Sequence, residues 1–254
     1  MRSSPSALLD ALLAPPPAAD RVAFLSAQPF AHRGLWGGAV PENSRAAFAA
    51  AIAVGHGIEC DVQLSRDGEA FVFHDHDLGR LTGEAGLVRE RTGAALAAIA
   101  LRDSTERLPR LDAVLALVAG RVPMLIELKA PDRSVGALCL AVRRALEGYR
   151  GKAAVMSFNP QAVRWFATHS PRIVRGLVVT EAGKRGFRRR AERHASLWRG
   201  RPDFLAYDVR DLPSTFAAAA RARGLPVLTW TVRDAAAEQT ALAHADEIIY
   251  ETVA

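Results

Sequence analysis

Three short segments carry acid/base and carboxylate groups where apolar runs end: Ala31-His32-Arg33-Gly34, Glu59-Cys60-Asp61-Val62 and Phe73-His74-Asp75. Pro41-Glu42-Asn43 lies between the first two, and Ile126-Glu127-Leu128-Lys129 closes a fourth apolar run. Gathered at one sheet edge, these groups can hold a divalent cation and cleave a phosphodiester. Glu59 and Asp61 stand two apart on a strand and so face one side, as do Glu127 and Lys129. Three carboxylates aimed at one point repel one another. A hard cation such as Mg²⁺ or Ca²⁺ takes oxygen ligands and relieves that repulsion, and it can polarise a phosphoryl oxygen. Arg33 offers a planar fork for phosphate and Lys129 a point charge. His32 and His74 can serve as general base and general acid near neutral pH. Each piece alone has an ordinary structural reading as a surface pair, an exposed strand or a loop. Their combination, all at strand ends, is what points to chemistry.

Strand-like and helix-like segments alternate along the chain. Strands are expected at 30–33, 57–64, 70–73, 122–128, 154–158, 173–179, 204–209, 227–232 and 247–250. Helices are expected from the Asn43-Ser44 cap to Val54, at 111–119 and 134–146, and from Pro160, Lys184, Pro213 and Asp234. Residues 75–110 read as irregular. Runs such as Val122-Pro123-Met124-Leu125-Ile126 and Ile173-Val174-Arg175-Gly176-Leu177-Val178-Val179 are apolar on both faces, as in a parallel sheet covered by helices. Repeated βα units over 254 residues predict one α/β domain, a TIM (β/α)8 barrel. Nine strands are one too many for it, and the surplus falls around Asp67-Gly68, where no helix intervenes. A two-residue hairpin tip there would set Asp61 opposite His74, whereas a parallel arrangement would bring the two together at strand ends.

The formal net charge is +6, with a basic run from Lys184 to Arg193. A solvated helix face is the preferred reading of that run, and attraction to an anionic substrate or membrane surface the weaker one. No nucleic-acid motif accompanies the charge, so no nucleic-acid partner is expected. Cys60 and Cys139 lack the spacing of a disulfide framework or zinc site, which suits a reducing compartment. Asp10 interrupts the apolar run Ala7–Leu13 and Pro15-Pro16-Pro17 stops it, a poor signal-peptide core. No stretch approaches the ~18 apolar residues of a membrane span. A soluble, cytoplasmic protein is expected.

The motifs resemble those of the glycerophosphodiester phosphodiesterase family: Ala-His-Arg-Gly at 31–34, Pro-Glu-Asn-Ser at 41–44, Glu-Cys-Asp-Val at 59–62, Asp-Gly at 67–68, Phe-His-Asp at 73–75 and Ile-Glu-Leu-Lys at 126–129. Residues 155–158 and 228–232 resemble its later strands, and the likeness runs from about 28 to 251. The resemblance implies an N-terminal extension with a short helix (1–27) before a TIM-barrel catalytic domain (28–254) carrying a small insertion at about 75–110. It implies that Glu59, Asp61 and Glu127 bind the metal, that His32 and His74 are the acid/base pair, and that Arg33 and Lys129 contact phosphate. By the same resemblance Glu42 supports the metal or His32, Asn43 holds its loop or caps the helix, and Trp230 either faces the leaving group or packs in the barrel. The implied activity is metal-dependent hydrolysis of a glycerophosphodiester, a small-molecule substrate, to glycerol 3-phosphate and an alcohol. The alternatives are a phospholipase D-type enzyme acting on lysophospholipids or sphingomyelin, and a non-catalytic phosphoester-binding barrel. Two departures stand out. Ser44 replaces the more usual threonine. Where the family often has Thr-Asp and a proline after the last strand, this chain has Tyr250-Glu251-Thr252, and Glu251 reads as a rim charge or a solvated one.

Overall fold

The structure, a computed structural model, describes residues 5–131, 134–182 and 186–252. Two compact units divide the chain, Phe30–Ala153 with Glu251–Ala254, and Met1–Pro29 with Ala154–Tyr250. The first holds β1 (Phe30–His32), β2 (Gly57–Leu64), β3 (Ala70–Val72) and β4 (Met124–Leu128). β1 and β4 both run parallel to β2. Their register sets His32 beside Glu59 and Asp61 beside Glu127. Neighbours across a sheet share a face, so this pairing alone puts four of the candidate site residues on one side.

The surplus strand is β3, which runs antiparallel to β2 with Val62 opposite Val72 and Leu64 opposite Ala70. That register sets Phe73, not His74, opposite Asp61, and the Phe73 amide donates to the Asp61 carbonyl (2.9 Å). Neither expected arrangement of Asp61 and His74 holds. The physical reason is the loop: Ser65 and Glu69 close it, and three residues lie between them, with Gly68 left-handed at φ 88°. A three-residue loop of this kind shifts the pairing by one position relative to a two-residue tip.

Residues 75–110 are less irregular than their sequence suggests. Short helices at Gly79–Thr82 and Gly93–Ala98 and a 3₁₀ turn at Val88–Glu90 gather round Phe71, Phe73, Leu78, Leu96 and Leu108, all buried. Elements of three to six residues are too short to show a helical period.

The second unit holds β5 (Ala153–Ser157) from Ala154 on, β6 (Val174–Val179), β7 (Phe204–Asp208), β8 (Val227–Val232) and β9 (Glu247–Tyr250), parallel in that order. Helices Pro160–His169, Phe187–Gly200, Thr215–Ala222 and Ala235–His244 alternate with them. Side chains of Asn159, Ser214 and Asp234 cap the first, third and fourth. Leu177, Leu197, Leu205, Tyr207 and Val227 form its buried centre with Ala14 from the N-terminal segment. The strand–helix order is that of a TIM (β/α)8 barrel, the expected fold. Of the basic run, Lys184 and Arg185 lie outside the described residues, while Arg188 and Arg190 are exposed on their helix. Among the described residues no helix is long and apolar enough to cross a membrane.

Asp10, which broke the apolar run in sequence, is 2 % exposed on helix Pro5–Leu13. Trp198 Nε1 donates to its Oδ1 (2.8 Å), His194 Nδ1 lies 2.8 Å from the same oxygen, and Arg223 Nη1 lies 3.1 Å from Oδ2. Asp10→Ala leaves the Arg223 guanidinium buried without its carboxylate. Chemical denaturation is expected to show a loss of about 3 kcal/mol, with Asp10→Asn recovering part of it.

Candidate active site

The site grows from the turn that ends β1. Arg33 and Gly34 are both left-handed, at φ 61° and 82°. A Cβ on Gly34 would stand 2.8 Å from the Ala47 backbone, so glycine is required twice over, by conformation and by close approach. The turn aims the Arg33 amide at Glu59 Oε2 (3.1 Å) and its Nη1 at Glu42 Oε1 (2.8 Å). Arg33 Nε lies 3.2 Å from Asp61 Oδ2, a Coulombic contact outside hydrogen-bond geometry.

Ser44, not Asn43, caps helix Arg45–Ala53, accepting from the Ala47 amide. Asn43 is itself left-handed at φ 55°. Its side chain grips Asp61 from both ends, donating to Oδ2 (2.9 Å) and accepting from the Asp61 amide (3.3 Å). Glu42 is buried, and its oxygens accept from Arg33 and twice from Arg80 (2.7 and 3.1 Å). Lys129 Nζ bridges Glu127 Oε1 (2.6 Å) and Asp61 Oδ1 (2.9 Å).

Each histidine has a carboxylate at Nδ1. Glu251 Oε1 lies 2.5 Å from His32 Nδ1, and Asp75 Oδ1 lies 2.6 Å from His74 Nδ1. On both rings Nε2 is the nitrogen turned away from that carboxylate, and that of His32 is 3.8 Å from Glu59 Oε2. Gln63 pins the backbone that carries His74: its amide reaches the carbonyls of Phe73 (3.1 Å), His74 (3.2 Å) and Asp75.

Glu59, Asp61 and Glu127 are buried and each offers an oxygen within 4.8 Å of the others. Burial, followed by the charges of Asp61 and Glu127, pushes the Glu59 carboxyl well above its ordinary range. Burial also raises Glu127, an effect that Lys129 opposes without reversing. Burial would raise Asp61 as well, but Lys129 and Arg33 outweigh it and hold that carboxyl well below the usual range. Glu59 Oε1 is buried with no hydrogen-bond partner. An orphaned buried oxygen among three like charges, all oxygen donors, fits a hard divalent cation.

Nine of the ten residues singled out in the sequence thus lie in one unit, joined through direct contacts or, for His74, through the Gln63-pinned loop and through Asp75, which Arg80 links to Glu42. Trp230 lies in the other unit on β8, where its Nε1 donates to the Ala206 carbonyl (3.0 Å) and its ring meets Phe158 edge-on. Sequence reasoning passed over Arg80 and Gln63. Arg80 sat in a segment without periodicity, and Gln63 was hidden by a strand pattern that says nothing of which loop a side chain reaches.

Fold and site together define a (β/α)8 barrel with a carboxylate cluster and paired histidines at its strand ends. The chain belongs to the glycerophosphoryl diester phosphodiesterase family, whose model matches residues 32–251. It is a family of phosphoric diester hydrolases. A glycerophosphodiester phosphodiesterase of Bacillus altitudinis is 39 % identical over 107 residues, which is 39 % of this chain and 43 % of that protein. The chain thus spans about half the length of the first curated relatives it matches. Among solved structures, an Oleispira antarctica phosphodiesterase in complex with its product sn-glycerol-3-phosphate is 24 % identical, with a TM-score of 0.75, over 89 % of this chain and 93 % of that one. A glycerophosphodiester phosphodiesterase from Thermotoga maritima is 23 % identical with a TM-score of 0.70, over 88 % and 94 % of the two chains. These likenesses carry the fold.

Glu42 gives the site a pH-dependent contribution to stability. Burial would raise its carboxyl, but Arg80 and Arg33 outweigh it and hold it below the ordinary 4.5. A depressed carboxyl stabilises the fold above its unfolded value, and the contribution fades as the pH falls through the folded one. Glu42→Gln is therefore expected to cost about 2–3 kcal/mol at pH 7, discounted for the half-exposed Arg80. The gap from wild type should narrow as thermal melts are taken below pH 4.5, and a pH-independent gap would refute this role.

Proposed function

We propose that this chain hydrolyses glycerophosphodiesters, with a divalent metal, to glycerol 3-phosphate and an alcohol. The observation that carries the reading is the buried Glu59–Asp61–Glu127 cluster together with two histidines, each backed by a carboxylate. Arg33 and Lys129 bring positive charge to the same cluster and would draw the phosphate in. A cation such as Mg²⁺ or Ca²⁺ held by the three carboxylates would supply charge neutralisation and polarise a phosphoryl oxygen. That the Oleispira antarctica relative was solved with sn-glycerol-3-phosphate supports the same product here.

The histidines divide the proton work. Burial is the largest influence on His74 and holds it below the ordinary histidine range, in spite of Asp61. His74 is therefore neutral near pH 7 and takes the nucleophile's proton at Nε2, whether that nucleophile is water or a neighbouring substrate hydroxyl. A protonated His32 ring would face Glu251 from Nδ1 and Glu59 from Nε2. His32 is thus placed to give a proton to the leaving alkoxide. Glu251 acts as a positioning residue that fixes the His32 tautomer. Glu42 and Asn43 hold Arg33 and Asp61 in place.

His32→Ala and His74→Ala are each expected to lower kcat on glycerophosphoethanolamine or glycerophosphocholine by roughly 10²–10⁴-fold, with circular dichroism unchanged. Near-normal turnover in either would remove that histidine from the mechanism. EDTA should abolish activity, and Mg²⁺, Ca²⁺ or Mn²⁺ should restore it. Glu251→Ala should lower kcat by about 10–100-fold with KM little changed, and Glu251→Asp should recover part of it. A uniform rise in KM instead would make Glu251 a substrate contact.

A further inference from the structure

Arg175 is the second residue of β6, and Asp203 stands just before β7. Both lie at the N-terminal ends of their strands, whereas a barrel places its chemistry at the C-terminal ends. The register pairs Gly176 with Phe204, which sets Arg175 beside Asp203. Asp203 is buried, and its side-chain contacts converge on one oxygen. Oδ2 accepts from the Arg175 amide (3.1 Å) and from Arg21 Nη2 (3.1 Å), and Arg175 Nη1 lies 3.2 Å from it. Arg21 also donates to the carbonyls of Pro171 (2.6 Å) and Ile173 (3.1 Å), which lead into β6. Arg175 Nε donates to the carbonyl of Arg201 (2.9 Å), the left-handed residue (φ 49°) that ends helix Phe187–Gly200.

Two further guanidiniums complete the group. Arg201 and Arg164, the latter on helix Pro160–His169 packed against β6, are exposed and form no ion pair among the described residues. Burial holds the Arg175 guanidinium below its ordinary value, Asp203 opposing that effect and the charges of Arg21, Arg164 and Arg201 adding to it. Asp20, next to Arg21 in the chain, is exposed and pairs with none of the four among the described residues. Four cations therefore meet one carboxylate, and the group keeps a surplus of positive charge with two of its members, Arg21 and Arg175, partly buried.

We propose that this arginine group binds a phosphate group, at a site separate from the carboxylate cluster. The inference stands whether or not the chain cleaves diesters. Guanidinium forks match phosphate oxygens two at a time and are more weakly hydrated than an ammonium, so they suit a partly buried anion site. Asp203 fixes the two inner forks, and the two exposed ones can swing onto the ligand. A phosphate monoester carries nearly two negative charges at neutral pH and cancels most of the surplus. It would also tie together the N-terminal segment, β6 and helix Pro160–His169. The phosphate can be free, as in inorganic phosphate or glycerol 3-phosphate, or the head group of an anionic lipid such as phosphatidic acid.

Two measurements distinguish these sources. Isothermal titration with inorganic phosphate and with glycerol 3-phosphate reads the free ligand. Flotation with phosphatidylcholine vesicles containing phosphatidic acid reads the head group. In whichever responds, Arg164→Glu/Arg201→Glu is expected to weaken binding by roughly tenfold or more. Both residues are exposed, so this variant keeps its fold, and Arg175→Gln should act in the same direction. Arg188→Glu/Arg190→Glu reverses the same number of charges at the exposed start of helix Phe187–Gly200 and should leave binding unchanged. Phosphate taken up at the carboxylate cluster is common to all these proteins, so the difference between the two double variants reads the arginine group alone. If the ligand is free phosphate, it should also raise the Tm of wild type more than that of Arg164→Glu/Arg201→Glu. Binding in either measurement that only the Arg164/Arg201 pair and Arg175 control supports the site and names its source. No binding in either, binding that no variant weakens, or equal loss in the two double variants would overturn it.

Discussion

Three like charges held out of water within a few ångströms of one another are the constraint around which the first unit is built. Glu59 and Asp61 share a face of β2, and the parallel register brings Glu127 of β4 beside Asp61. Such a cluster is unfavourable by itself, through both lost hydration and mutual repulsion. It persists because Lys129 and Arg33 are drawn into contact with Asp61. The cations hold the Asp61 carboxyl well below its usual range, while burial keeps those of Glu59 and Glu127 raised. That arrangement, three buried oxygen donors with one Glu59 oxygen unpartnered, fits a further cation.

One of the compensating cations, Arg33, and the asparagine that grips Asp61 are placed by special local backbone. Arg33 and Asn43 both adopt left-handed backbone, an uncommon state for an arginine and one that asparagine tolerates better. Each is repaid by contacts to the cluster, Arg33 through its amide on Glu59 and Asn43 through both ends of its amide on Asp61. Glu42 then ties Arg33 to Arg80, and Arg80 reaches Asp75, the partner of His74. A continuous chain of ion pairs, ending in the contact between Asp75 and His74 Nδ1, thus runs from the turn after β1 to the histidine after β3. A change at Glu42 is felt at two arginines at once.

Much of this was legible in the sequence because it is local. Apolar runs bounded by turn residues located the strands within one or two positions, and spacing by two put Glu59 with Asp61 and Glu127 with Lys129. What was not legible depends on contacts the chain makes at a distance. The one-position shift of β3 hangs on a single extra loop residue, which no hydrophobic pattern records. Arg80 lies in a four-residue helix, too short to announce itself. Asp10 looked like an interruption of an apolar helix, and it is buried because His194, Trp198 and Arg223 converge on it.

The two histidines show the same distinction in functional terms. The carboxylate that orients His74 is its own neighbour in sequence, so the ring is set wherever the Gln63-pinned loop forms. The carboxylate on His32 comes from 219 residues away, at Glu251. An imidazole with a carboxylate on Nδ1 keeps its proton there and offers Nε2, and without that partner either tautomer is open to it. The aim of His74 is therefore a local property of one loop. The aim of His32 exists only once the chain has folded as far as Glu251, so the orientation of that ring is coupled to completion of the fold.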